Sequence, residues 1–158
     1  MRGEKKVIEQ LNAALSSELT AIVQYMTQAE ICNNWGYYRV GGFHQSRAIE
    51  EMKHAEKLIE RIIFLDAIPK VDVALTPQLG TTVQSQYQVD LKDELVAVKQ
   101  YNDAVQVCVE CKDDGSRELF KELIQDEEKH VDFLEAQLHS IEEMGIANYL
   151  TEQMKGKS

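Results

Sequence analysis

The alternation of hydrophobic and polar positions divides the chain into four long amphipathic segments and one short one. Between Glu4 and Asn34, Leu11, Ala14, Leu15, Ala21, Ile22 and Tyr25 recur at the spacing of a single helix face. Asn33-Asn34-Trp35-Gly36 is a stop signal, and a second helical pattern runs from about Tyr38 to Leu65. So short a connection makes these two helices antiparallel neighbours. From Asp66 to about Thr82 the helical period is lost, and Pro69, Pro77 and Gly80 punctuate the stretch. A third helix is expected from about Val83 to Lys112, after which Asp113-Asp114-Gly115 turns the chain. Ser116 is placed to cap a fourth helix, with Glu118 in its first turn, that continues to Met144. Gly145 ends that helix, and a short fifth one follows from about Ile146 to Gln153.

The long connection sets the topology. A second helix of about 28 residues is roughly 42 Å long, whereas about 17 connecting residues can reach roughly 56 to 61 Å. The connection can therefore return along the whole bundle and leave the second and third helices parallel. This predicts an all-α four-helix bundle with one long crossover connection and a short C-terminal fifth helix, with residues 1–158 forming a single domain. Composition agrees: 2 prolines and 8 glycines leave helix-forming residues dominant, and 44% hydrophobic content supports one core.

A net charge of -10 argues against nucleic acid or an anionic membrane as partner and leaves cations attractive, although surplus acid also serves solubility. The N-terminus has no apolar signal-peptide core, and no run approaches the roughly 18 apolar residues of a membrane span, so a cytoplasmic protein is expected. Three cysteines do not make a disulfide framework. Cys108-Val-Glu-Cys111 has no second pair to complete a zinc or redox site, and its thiols read as structural.

The chemistry lies in an internal repeat. Glu18, Glu51 and His54 recur as Glu94, Glu127 and His130 at one constant offset of 76 residues, and Tyr25 recurs as Tyr101. Each half contains Glu-x-x-His, whose i, i+3 spacing puts a carboxylate and an imidazole on one helix face. Glu94 lies in the stripe of Tyr87, Leu91, Val98 and Tyr101, and Glu127 in that of Phe120, Leu123, Ile124, Val131 and Leu134. Glu18 interrupts the apolar stripe of the first helix, and Glu51 lies among Ala48, Ala55 and Leu58. All four glutamates therefore face one interior at mid-helix depth.

Four carboxylates sharing an apolar interior repel one another unless protons or cations compensate, and two divalent cations neutralise all four. Carboxylate and imidazole donors without a thiolate suit iron or manganese and admit zinc or cobalt; activation of dioxygen needs a redox-active metal, which favours iron. One Glu-x-x-His in a Glu-rich helical chain is an ordinary accident. Two of them, each with a core-facing glutamate and related by one offset, form the known ligand pattern of ferritin-like di-iron and di-manganese proteins.

With Glu18, Gln24-Tyr25, Asn34-Trp35-Gly36, Glu51-Met52-Lys53-His54-Ala55, Arg61-Ile62, Asp126-Glu127-Glu128, His130 and Met144-Gly145, the chain resembles the bacterioferritins over essentially its whole length. The resemblance implies a ferritin-like bundle and a ferroxidase centre built from Glu18, Glu51, His54, Glu94, Glu127 and His130, with Glu51 and Glu127 bridging two irons. It implies oxidation of ferrous iron by dioxygen or peroxide, and storage of ferric mineral in a homo-oligomeric cage of 24 subunits built from dimers. A ferredoxin-type donor would release the iron. Tyr25 would stand behind the ligands as a hydrogen-bond or electron donor, or pack in the core.

Met52 follows Glu51 and so leaves its helix about 100° away from the centre. Leu19, Val23, Met26, Ile49 and Ile59 give the first two helices a second apolar stripe, which implies a partner. By resemblance, Met52 is the axial ligand of haem b shared between two subunits. Ser46 and Glu50 depart from the His and Asp that some relatives carry at an inner-surface iron site. Two other classes share parts of the pattern. A rubrerythrin-like di-iron oxidase or peroxidase would consume peroxide and build no mineral. A haem-binding cage subunit without its own centre would not carry six ligands.

Overall fold

The computed structural model describes residues 1–72 and 76–156. It comprises α1 (Lys5–Asn34), α2 (Tyr38–Phe64), α3 (Val83–Glu110), α4 (Asp114–Met144) and α5 (Ile146–Gln153), with no strand among the described residues. The expected all-α, ferritin-like bundle with a short fifth helix is thus the observed fold, with helix ends within two residues of the expected ones except at the start of α4.

Local chemistry explains the boundaries. The α1–α2 turn closes on Gly36, whose φ of +85° suits a residue without Cβ. Gly41 lets α2 approach α1, since a Cβ there would lie 2.0 Å from Asn33 Oδ1. At the start of α3, Thr82 and Ser85 form a reciprocal capping box. The start of α4 corrects one expectation: the cap is Asp113, whose carboxylate accepts from the Ser116 backbone N–H, and Asp114 occupies the first turn. Ser116 lies inside the helix because a carboxylate three residues earlier already satisfies its N–H. Arg61 of α2 bonds both Ser116 Oγ and Asp113, tying this turn to the neighbouring helix.

Cross-helix hydrogen bonds give the topology directly. Between α1 and α3, Ser17 meets Gln100, Gln24 meets Asp90, and Tyr101 meets Glu18, so the residue numbers run in opposite directions. Between α2 and α4, His54 meets Asp126, Glu50 meets His130, and Arg61 meets Ser116, again antiparallel. The short turns make α1–α2 and α3–α4 antiparallel, so α2 and α3 run parallel across the bundle. The connection of 66–82 makes this possible. Its described parts follow α1 upward, with Lys70 N donating to Asn12, Ser16 Oγ to the Asp72 carbonyl, and Gln78 N to Gln24 Oε1. The part of the expected crossover at 73–75 lies outside the described residues.

Two apolar clusters fill the ends of the bundle. One includes Leu11, Leu15, Leu58, Ile62, Tyr101, Phe120 and Leu123. The other includes Val40, Tyr87, Leu134, Ile141 and Tyr149, the last bringing α5 onto the bundle through a hydrogen bond between the Tyr87 and Tyr149 hydroxyls. The polar centre lies between them. No helix among the described residues is long and apolar enough to cross a membrane.

Candidate metal centre

Each of the four long helices contributes to the centre at mid-length. Glu18, Glu51, His54, Glu94, Glu127 and His130 are all buried, none more than 5% exposed. The structure brings all six together. They form two overlapping groups, Glu18, Glu51, His54 and Glu127 on one side, and Glu51, Glu94, Glu127 and His130 on the other, each with donor atoms within 4.8 Å of one another.

The distances show how the groups are shared. Glu51 directs Oε2 to His54 Nδ1 at 3.4 Å and Oε1 to His130 Nδ1 at 3.3 Å. Glu127 does the same with Oε1 at 3.2 Å and Oε2 at 3.4 Å. Glu18 approaches only His54, at 3.6 Å, and Glu94 only His130, at 3.3 Å. Two carboxylates thus span both imidazoles, and two belong to one side each.

The surrounding contacts obey the same twofold relation. The Tyr25 hydroxyl donates to Glu94 Oε1 at 2.7 Å, and Tyr101 donates to Glu18 Oε1 at 2.6 Å. Tyr25 therefore serves the opposite half's glutamate and not Glu18 on its own helix, because the side chains cross between α1 and α3. His54 Nε2 pairs with Asp126 Oδ2 at 3.0 Å, and His130 Nε2 with Glu50 Oε2 at 2.7 Å. A carboxylate on Nε2 holds each ring so that Nδ1 faces inward. Periodicity alone assigns Tyr101, Asp126 and Glu50 no such contacts, yet the offset of 76 marks them: Tyr101 repeats Tyr25, and an acid precedes the glutamate of both motifs.

Electrostatics shows how the buried charges are balanced. Burial alone would lower the imidazole pKa values, but Glu127 and Glu51 outweigh it and raise His54 to about 11; Glu127, Glu51 and Glu94 raise His130 to about 12. Desolvation and the neighbouring Glu127 lift Glu94 to about 8. Protons therefore do the neutralising in the metal-free protein. Glu18 Oε2, Glu51 Oε1, Glu127 Oε1 and both imidazole Nδ1 atoms are buried without an aligned hydrogen bond. Buried polar atoms normally have aligned partners, so five atoms that converge on one place without one fit a site built for cations. The donors are oxygen and nitrogen only, which suits iron or manganese and also accommodates zinc or cobalt.

Toward α1 and α3, a cleft of about 390 Å³ reaches the four glutamates. On the α2–α4 side, Glu50 and Asp126 cover the histidines. Met52 faces away from all of this: it is 45% exposed on the outside of α2, with Val23, Met26 and Ile49 also exposed. Beside the centre lies a second polar group. Asp90, His44, Gln28 and Gln86 are fully buried, with Gln28 donating to both Asp90 oxygens and His44 Nε2 pairing with Gln86 Oε1. Cys32 and Cys108 are buried free thiols, and Cys111 is a partly buried one.

This fold and ligand arrangement define a ferritin-like domain, and residues 8–144 match the family of that description. The bacterioferritin of Brucella melitensis is 42% identical, over 94% of this chain and 92% of its own. That of Rhodobacter capsulatus is 41% identical, over 92% and 90%, and that of Streptomyces coelicolor 35% identical, over 96% and 90%. The chain belongs to the ferritin family, on its bacterioferritin branch.

Proposed function

We propose that the protein is an iron-storage ferroxidase that oxidises Fe(II) to Fe(III) at the centre formed by Glu18, Glu51, His54, Glu94, Glu127 and His130. The observation that carries this reading is the sharing of Glu51 and Glu127 between two otherwise separate donor groups. Such an arrangement holds two cations at once, side by side, as a two-electron acceptor such as dioxygen or peroxide requires. Ferrous iron is the substrate, with Glu18 and His54 serving one ion, Glu94 and His130 the other, and the two shared glutamates bridging them.

The chain's own groups prepare the site. Arriving cations displace the protons from His54 and His130 Nδ1 and from Glu94, so uptake releases protons and strengthens as pH rises. Asp126 and Glu50 keep the remaining Nε2–H in place. Tyr25 and Tyr101 fix the rotamers of Glu94 and Glu18 by occupying one lone pair of each. The ferric product passes into a mineral held within a cytoplasmic cage of 24 copies, from which a ferredoxin-type donor releases iron.

Met52 and the exposed apolar side chains around it fit haem b held between two copies, each giving one thioether. When bound, haem would supply an electron-transfer group. The fit rests on a soft sulfur donor presented on an apolar outer face.

Stopped-flow mixing with Fe(II) in air tests the main reading. A fast phase saturating at two irons per subunit is expected in the wild type and absent in Glu94→Ala and His130→Ala. A protein that consumes peroxide with a reductant yet accumulates no mineral would instead be a rubrerythrin-like oxidase or peroxidase.

A further inference from the structure

The centre can be approached from two sides, and their chemistry differs. The hollow on the α2–α4 side is lined by Arg47, Lys53, Lys57 and Lys129 together with an equal number of acids, and the histidine rings lie behind it. Among the described residues the cleft between α1 and α3 is lined by no lysine or arginine, and it reaches the four glutamates of the centre. One further carboxylate lines it: Asp93, exposed near the surface.

We propose that Asp93 is the capture site for ferrous iron at the mouth of the α1–α3 cleft, and thereby sets how the centre fills at low iron. The inference rests on the ferroxidase reading above and adds a residue and a direction of access to it.

Two pairs related by the offset of 76 frame the cleft. Gln24 Nε2 donates to Asp93 Oδ2 at 3.0 Å, and Ser17 Oγ donates to Gln100 Oε1 at 3.1 Å. Position 93 corresponds to position 17 and position 24 to position 100, so one pair carries a charge where its twin carries a hydroxyl. Gln24 is itself fixed: Nε2 also donates to Asp90 Oδ1 at 2.9 Å, and Oε1 accepts the Gln78 backbone N–H at 3.1 Å. Through Gln24 the chain's crossover thus holds Asp93 in position over the opening. Among the described residues Asp93 uses only one carboxylate oxygen in a hydrogen bond.

Lys92 lies close enough to act on Asp93 but does not line the cleft, so the charges that face its interior are all negative. A cleft with low-dielectric walls and one sign of charge focuses the field and raises the local concentration of the counter-ion. Ser17, Thr20 and Gln100 line the same cleft and offer neutral oxygen donors to a hydrated cation. No such gradient leads inward from the α2–α4 hollow, where basic and acidic side chains balance.

The test is ferrous oxidation by the assembled full-length protein across a range of Fe(II) concentrations, comparing wild type with Asp93→Asn, Asp93→Ser and Asp93→Glu. Asparagine retains an acceptor for Gln24, and serine copies the twin position, so a fold defect common to both is not expected. Both neutral variants should raise the half-saturating iron concentration roughly threefold to tenfold, while the maximal rate stays within about twofold. Glutamate should restore the wild-type value, and added salt should narrow the difference. Anaerobic Co(II) association, followed by its absorption, should slow in the neutral variants with unchanged final stoichiometry. Unchanged half-saturation in both neutral variants would overturn the assignment, as would a fall in maximal rate alone. If the wild type showed no fast oxidation, the ferroxidase reading would fail, and the Co(II) rates would still decide the role of Asp93.

Discussion

The two halves of the chain, α1–α2 and α3–α4, are alike at the middle of the bundle and unlike away from it. At the centre, Glu18, Tyr25, Glu50, Glu51 and His54 answer to Glu94, Tyr101, Asp126, Glu127 and His130, with matching contacts on both sides. Beyond it, Gln28, His44 and Asp90 occupy one end of the bundle, where the corresponding positions at the other end are Ala104, Phe120 and Ala14, all buried. Even the ring contacts correspond, with Tyr25 lying 5.8 Å from His44 and Tyr101 lying 5.9 Å from Phe120. On the outside, Val23, Met26, Ile49 and Met52 of the first half answer to Lys99, Asn102, Gln125 and Glu128. What both halves retain is what two equivalent cations require. What one half has alone needs a different cause, since apolar packing demonstrably suffices at one end and a polar exterior suffices on one side.

The largest expected effect separates the centre from the polar end. Glu127→Ala removes a carboxylate that faces both imidazoles and should abolish the fast phase of ferrous oxidation, whereas Asp90→Asn should leave its rate within about threefold. Glu127 is also a partner of both protonated imidazoles, so circular dichroism of the metal-free Glu127→Ala protein should accompany the kinetics and separate lost chemistry from a lost fold. Equal loss of rapid oxidation in the two variants would make Asp90 part of the reacting centre and end the distinction.

The outer face gives the next effect. Met52→Leu should remove haem while sparing the fast oxidation phase, because Met52 and Glu51 leave α2 in different directions. The swap preserves volume and apolarity, so its cost in stability should stay below about 1.5 kcal/mol. Reconstitution with haem followed by optical spectroscopy reads the result. A low-spin bis-thioether spectrum retained in the variant would make Met52 an ordinary interface residue.

A smaller effect tests how closely the halves match at the centre. Asp126→Asn and Glu50→Gln each weaken the bond that orients one histidine and should lower metal affinity by about 10- to 100-fold, the usual range for such outer partners. The two losses should be similar if the twofold relation is functional. Competition against a chelator with Co(II) would measure both, and a loss confined to one variant would show that the halves bind their cations unequally.

These differences also explain what the sequence made legible. The cluster could be read because its carboxylates and imidazoles recur at fixed helical spacing, and because they do so twice at one offset. The topology followed from Pro69, Pro77 and Gly80 in a connection long enough to span the bundle. The polar end carried no comparable signal. Asp90 and His44 lie on different helices, 46 positions apart, and nothing in the spacing says that α2 and α3 place them together. The sequence favours Ser116 as the cap for a related reason: Asp113, Asp114 and Ser116 are all good capping residues, and only the Asp113 contact with the Ser116 N–H decides among them.

The last and smallest effect asks in which charge state the polar end holds Asp90 and His44, whose Oδ2 and Nδ1 lie 3.7 Å apart. Desolvation raises Asp90 to about 7, with Glu94 and Asp93 adding to it and the bonds from Gln24 and Gln28 opposing it. Desolvation also lowers His44 to about 4, against the bond to Gln86 and with help from Arg47. Against unfolded values of about 3.9 and 6.5, these shifts act in opposite senses. The folded state keeps the Asp90 proton after the unfolded chain has released it, so this contribution to stability is lost as pH rises from about 4 to 7. The folded state refuses the His44 proton that the unfolded chain accepts, so that contribution is lost as pH falls from about 6.5 to 4. In the wild type the two largely cancel between those limits. Each substitution should uncover the other: Asp90→Asn should gain on the wild type as pH rises, and His44→Phe, which copies Phe120, as pH falls. Neither slope can exceed about 1.4 kcal/mol per pH unit for one proton. Urea unfolding of the metal-free protein at four pH values, taken as differences from the wild type, isolates these slopes from the titration of the centre. A difference for Asp90→Asn that stays constant across the range would mean that Asp90 is charged throughout in the folded protein. A charged buried carboxylate would then need a cation, and the nearest is His44, whose Nδ1 lies 3.7 Å from Asp90 Oδ2, so the two ends of the bundle would differ in charge as well as in how they pack.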